Sequence, residues 1–215
     1  MTRHDVPDCG LLSNPSSIRR DLFHALHPYG RRLINSWARR GIGAAAKGPR
    51  ASHFEGFIYL WFALNGWGAC VAEADTDRQW VEAVAGDLGL SEMFRELQER
   101  DRRFREAASA FAQLWPIFRS SEIRRRQILV PPKHSRRERV GAYFDNNLTG
   151  FQPSCWKRHD GQPPVDWAHS LKAIYRVRCN LFHGEKTLDS ENDRVIVQAS
   201  YDILALFLDE GKLLA

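Results

Sequence analysis

Residues 52–73 read SHFEGFIYLWFALNGWGACVAE. A helix built from this run is apolar nearly all round, and with so little polar face to offer water it belongs at the centre of a helical bundle. Its apolar heart, Phe57 to Ala72, is shorter than the ~20 residues a membrane-spanning helix needs, and Asn65, Gly66 and Gly68 interrupt it. It therefore reads as a buried core helix and not as a membrane segment. A buried asparagine must be hydrogen-bonded, so Asn65 reads as a structural polar contact.

Helical periodicity extends to both sides. Upstream, Ile18, Leu22, Leu26, Tyr29, Leu33 and Trp37 recur at three- and four-residue steps and make one apolar face. Ser16 or Ser17 is the expected N-cap, Pro28 should kink or split the helix, and Gly41 is the expected stop. Downstream, a short helix is expected over Asp77 to Asp87. A long one should follow from about Ser91 to Trp115, with Met93, Leu97, Phe104, Ala108, Phe111 and Trp115 as its stripe and Pro116 at its end. Residues 129–165 carry Pro131, Pro132, Pro153, Pro163 and Pro164, and read as a long insertion with a short helix near Arg137 to Asn147. Two helices close the chain, from Asp166 to Phe182 and from the cap Ser190 to Glu210, with Gly211 after it. Sustained period-two alternation is absent. The expected fold is all-α: a bundle of about four main helices, a few short ones and one long irregular insertion, within a single domain over residues 1–215.

The 215 residues carry 31 Lys plus Arg against 26 Asp plus Glu. The excess is concentrated. Between Arg119 and Arg139 stand eight basic residues and two acids, an excess larger than the net charge of +5. That run, in particular Arg124, Arg125, Arg126, Lys133, Arg136 and Arg137, is either a solvated charged loop or a grip for a nucleic-acid backbone. Tyr143, Phe144, Phe151 and Trp156 follow it, and read first as packing of the insertion onto the bundle and second as stacking platforms for bases. The four cysteines form no CxxC pair. Cys155 and His159 make an isolated C-x-x-x-H, too little for a zinc site, while Cys70 and Cys179 read as small core residues. This cysteine usage and a polar stretch from Met1 to Ser17 without an apolar leader point to a cytoplasmic protein.

The penultimate helix carries the chemistry. Trp167, Leu171, Ile174, Tyr175, Arg178 and Phe182 share a stripe, so Arg178 faces the packed side and needs an anionic partner, a ligand or an opening to solvent. His183 comes five residues later, about 140° round an ideal helix, and Gly184 can end the helix so that the imidazole swings back.

The sequence Arg178-Cys-Asn-Leu-Phe-His183-Gly resembles the signature of the HEPN superfamily of small α-helical bundle proteins, an Arg and a His separated by four to six residues. Spacing alone does not discriminate, because Arg19–His24 and Arg20–His27 also satisfy it. The Asn-Leu-Phe-His-Gly run after the arginine is what carries the resemblance. Two departures stand out. Cys179 follows Arg178 where the family often has a polar residue, and Glu185 replaces the tyrosine of the subgroup that is modified by a nucleotidyltransferase.

The resemblance implies an endoribonuclease that needs no metal and no cofactor, acts as a homodimer on RNA, and leaves a 2′,3′-cyclic phosphate. His183 would move the proton, Arg178 would hold the scissile phosphate, and Asn180 and Arg176 would support them. Toxin–antitoxin or antiviral settings, with an antitoxin or operon partner protein, belong to the same implication. Two other readings stay open: a non-catalytic HEPN module that binds RNA or nucleotide or dimerises, and a structural bundle with Arg178 in an ion pair and His183 capping a helix. The nuclease reading requires Arg178 and His183 to share an open, positively charged cleft. An Arg178 held by an acidic side chain points the other way.

Overall fold

The structure, a computed structural model, describes residues 18–44, 51–128, 130, 134–183 and 190–214. Among these residues the fold is all-α. Its helices are α1 (Arg20–Ala25), α2 (Pro28–Ile42), α3 (Ala51–Ala72), α4 (Asp77–Ala85), α5 (Leu88–Arg100), α6 (Arg102–Ala112), α7 (Ser120–Arg125), α8 (Arg136–Asp145), α9 (Trp167–Phe182) and α10 (Glu191–Glu210). A two-residue antiparallel pair, β1 (Ile117–Phe118) with β2 (Phe151–Gln152), and a short 3-10 turn at Trp156–His159 complete it.

Helix α3 occupies the centre, as its all-round apolarity requires. Phe57, Leu60, Trp61, Leu64 and Trp67 are buried, and α2, α4 and α10 pack on its different sides. Each apolar side chain of this size removed from water contributes about 1.5–3 kcal/mol, which makes α3 the main stabilising element. Asn65 accepts a hydrogen bond from Trp80 Nε1 at 2.9 Å and ties α3 to α4. Gly41, the expected stop, instead lies inside α2, which ends one residue later at Ile42. A Cβ at Gly41 would sit 2.6 Å from the Leu60 side chain and 2.9 Å from the Leu60 backbone nitrogen. The glycine is there to let α2 approach α3.

Local chemistry fixes the breaks. Pro28 splits the first helix in two and becomes the first residue of α2, where its missing N–H costs nothing. The single long helix expected from Ser91 to Trp115 is two helices. Asp101 leaves the helical conformation (φ −112°, ψ 112°) and its carboxylate accepts from the N–H groups of Arg103 and Phe104, so it caps α6 and ends the helical path of α5. Ser190 caps α10 by accepting from Asp193 N–H. The Ser16 and Ser17 caps lie outside the described residues.

The insertion is less irregular than its prolines suggest. Its described part forms α8, β2 and the 3-10 turn. Phe118, Leu148 and Phe151 make a second small core with Tyr143 and Phe144 packed against it. Those aromatics are engaged in packing: the Phe118 ring lies 4.9 Å from Tyr143 and 5.3 Å from Phe144. Helix α9 is pinned at its start by Asp166, which accepts from His169 N–H, and by Trp167, whose Nε1 donates to Val84 O at 2.8 Å and whose ring stacks on Phe207. With α9 fixed against α4, β1 and β2, one of its faces becomes the wall of a cleft. No described helix is long and apolar enough to cross a membrane.

Candidate functional site

A cleft of about 520 Å³ runs along the C-terminal half of α9. Lys172, Arg176, Asn180 and His183 lie three or four positions apart, so they share one face of the helix, and all four line the cleft with Tyr175 and Cys179. Helix α4 supplies Arg78, Val81 and Glu82 as the facing wall. Arg119 and Ser121 close one side, just past β1, and Gln152 of β2 completes it. Four cations face a single lining carboxylate, that of Glu82, which is taken by Lys172 at 2.6 Å. Among the described residues no carboxylate lies within ion-pair distance of Arg78, Arg119 or Arg176. The cleft is therefore strongly cationic, and low-dielectric walls strengthen such a field.

Arg176 is half-buried. Its Nε is buried and makes no hydrogen bond among the described residues. Burial, and then the neighbouring positive charge of Arg119, hold its guanidinium below the ordinary arginine range. His183 is the C-cap of α9, exposed at the mouth, and its backbone N–H bonds to Cys179 O and Leu181 O. Tyr175 stacks on Trp61 with centroids 5.9 Å apart, and its hydroxyl is pushed up to about 12, first by burial and then by Cys179.

Arg178 is not in this cleft. It points to the other side of α9, where one guanidinium nitrogen lies 2.9 Å from Asp77. Its guanidinium carbon sits over the rings of Phe182 at 4.8 Å and Trp61 at 5.6 Å. The reason is the helical angle: five residues separate it from His183, too far round the helix for a shared face, whereas Arg176 is seven residues away, nearly two full turns. The cleft that Arg178 and His183 were expected to share is therefore absent, and Arg176 lines the cleft with His183 instead. Gly184 and Glu185 lie outside the described residues.

Asn180 is committed to backbone. It is buried, donates through Nδ2 to Phe118 O at 2.8 Å and accepts at Oδ1 from Ser120 N–H at 3.2 Å. It cannot also orient a phosphate or the imidazole with those same groups. It holds the chain on both sides of Arg119.

The basic run divides. Arg124, Arg125 and Arg137 are exposed. Arg126 pairs with the buried Glu122 at 3.3 Å and donates to Asn146 O, and Arg136 donates to Pro116 O at 3.2 Å. Burial and the nearby Arg139 push the Arg136 guanidinium down to about 10. These two tie the insertion to the bundle. Lys133 lies outside the described residues. None of the described run except Arg119 reaches the cleft. The sequence marked Arg119 only as the start of the basic run and did not mark Arg78 or Lys172. Lys172 was legible in principle, four residues before Arg176 on the same face, but Arg78 and Arg119 arrive by tertiary packing.

A second polar cluster lies at the other end of α9. Cys155 Sγ is 3.1 Å from His169 Nε2, and His169 Nδ1 is 2.7 Å from Asp166. The order is that of a nucleophile, base and orienting acid. Cys155 and His169 are only 1% and 3% exposed, however, so no substrate reaches the sulfur. Cys155 is thus paired with His169, and no group of three or more His, Cys, Asp or Glu side chains suited to a metal occurs among the described residues. Cys70 and Cys179 are half-buried, and Cys179 belongs to the cleft wall rather than the core.

No protein-family model matches this chain, and no curated protein or solved structure matches it either.

Proposed function

We propose that the chain is an endoribonuclease that works on single-stranded RNA in the α9 cleft without a metal; the pairing of Arg178 with Asp77 counts against the HEPN arrangement of Arg178 with His183, so the proposal rests on Arg176 in its place. One observation carries this reading: His183 stands at the mouth of a cleft whose three arginines have no acidic partner among the described residues. Such a field attracts a polyanion, and an imidazole is the side chain suited to moving a proton beside it near neutral pH.

The roles follow from position. His183 takes the proton from a ribose 2′-hydroxyl. The freed oxygen attacks the adjacent phosphorus, the bond from phosphorus to the 5′ oxygen breaks, and that oxygen takes up a proton and leaves as a 5′-hydroxyl. Arg176 holds the phosphate and offsets the charge that builds on its oxygens. Arg178 keeps α9 seated on α4 through Asp77.

The homodimer belongs to the same proposal. Leu33, Phe62 and Phe182 are large exposed apolar side chains, and Phe182 and Trp37 each contact Phe62. A second copy covering this face would sit against the end of α9 that bears His183. An antitoxin-type partner, in a toxin–antitoxin or antiviral setting, would restrain the enzyme by covering the cleft.

Cleavage of unstructured RNA in EDTA tests the proposal. Wild-type protein should yield 2′,3′-cyclic phosphate ends, and His183→Ala should yield none. If wild type binds RNA but cuts none of a panel of sequences, the chain is a non-catalytic binding module.

A further inference from the structure

We propose that Arg119 and Arg176 form a clamp for one backbone phosphate of a single-stranded nucleic acid, and that Asn180 is the residue that sets it. The proposal rests on reading the cleft as a nucleic-acid site but does not depend on cleavage.

The two arginines come from different elements. Arg176 is on α9, and Arg119 is the residue between β1 and α7. Like charges brought together repel each other, an effect on Arg176 that the nearby buried Glu122 only partly offsets, and the fold uses several hydrogen bonds to keep Arg119 there. Its own N–H donates to Gly150 O at 2.6 Å. Asn180 grips the carbonyl of the residue before it and the N–H of the residue after it. The buried Glu122 accepts from Gly150 N–H at 2.9 Å and Thr149 N–H at 3.3 Å, which fixes the strand that holds Arg119. A Cβ at Gly150 would lie 2.6 Å from the Glu122 carboxylate, so any other residue there would displace that carboxylate.

Arg119 is exposed and solvated, whereas the Nε of Arg176 is buried without a partner among the described residues. An unpartnered Arg176 Nε and an Arg119 with no carboxylate in ion-pair distance gain a partner together when an anion enters between them. Guanidinium groups suit a phosphate because each presents paired donors in one plane. Asn180 sits on α9 one turn beyond Arg176, so the same helix that carries one jaw also holds the other. Asn180 is thus a positioning residue that acts through Arg119.

The test is binding of a fluorescein-labelled 2′-O-methyl oligouridylate, which lacks the nucleophile for 2′ attack. Its result therefore stands whether or not the cleavage reading survives. Affinity is measured across a salt series for wild type, Arg119→Gln, Arg176→Gln and Asn180→Ala. Arg32→Gln serves as the charge control, because Arg32 lines a separate cavity with Leu208 and Lys212. Arg119→Gln and Arg176→Gln should each weaken binding by about ten-fold, and because both arginines hold the same phosphate the log–log salt slope should become shallower by about 0.7 only when both are changed. Asn180→Ala, confirmed folded by its thermal transition, should lose affinity like Arg119→Gln, and the two changes combined should lose no more than Arg119→Gln alone. Arg119→Gln binding like Arg32→Gln would overturn the clamp. A combined loss equal to the product of the single losses would overturn the role of Asn180. Loss of inorganic phosphate binding in both arginine variants with strand binding intact would overturn the nucleic-acid assignment and leave a free-phosphate site.

Discussion

The Arg178 guanidinium lies 2.9 Å from the Asp77 carboxylate, and that pair joins the C-terminal half of α9 to the first residue of α4. Asp77 is well placed, since a carboxylate in a helix's first turn is favoured by the partial positive charge there. The contact turns Arg178 away from the cleft and over Phe182 and Trp61.

Arg178→Ala should therefore act on stability. It removes a largely buried ion pair, two cation–π contacts and the packing of the arginine stem, about 1–2 kcal/mol together. Arg178→Lys should recover only part of this, because an ammonium does not stack as a planar guanidinium does. Urea unfolding of the three proteins measures it. An unchanged midpoint in Arg178→Ala would show that the ion pair and stacking contribute nothing.

The Cys155–His169–Asp166 line should behave as a structural tie. With Nδ1–H of His169 donating to Asp166, Nε2 is left to accept the Cys155 thiol proton. Cys155→Ala leaves that nitrogen buried without its partner, at a cost of about 1–3 kcal/mol. In the folded protein an alkylating reagent should label Cys70 and Cys179 before Cys155, read by peptide mass spectrometry. Rapid labelling of Cys155 under native conditions would mean the site opens to solvent.

Asp202 on α10 gives a pH signature. Burial raises its carboxyl above the usual aspartate range, against a smaller opposing effect of His53. Ionisation is then easier in the unfolded chain than in the folded one. The sign follows: stability is fully present below the unfolded pKa and declines as pH rises through the raised folded value. Asp202→Asn should raise the melting temperature at pH 7, and the gain should vanish below the ordinary carboxylate range. A gain of the same size at both ends would assign it to something other than this carboxyl.

Much of the fold was legible because it rests on local pattern. The apolar run of α3, the split at Pro28 and the stripe of α9 each follow from residues close in sequence. Asp101 was not legible as a break: within a run of charged residues, an aspartate that caps a new helix looks like one on a solvated face. The two-residue β1–β2 pair is too short for any period-two signal. In the candidate site, His183 and the importance of α9 were legible, but the family resemblance pointed to Arg178. Seven-residue spacing already placed Arg176 on the face of His183. Arg119 and Arg78 come from other elements, and no spacing along the chain could have brought them together.

The most direct test of the account sets Arg176 against Arg178. Purified wild type, His183→Ala, Arg176→Ala and Arg178→Ala are compared for RNA cleavage in EDTA, at a temperature where all four are folded. His183→Ala and Arg176→Ala should lose cleavage, while Arg178→Ala should keep it with a lower melting temperature. Cleavage that survives Arg176→Ala and disappears in a folded Arg178→Ala would contradict this expectation, and would move the reacting phosphate to the Asp77 side of α9.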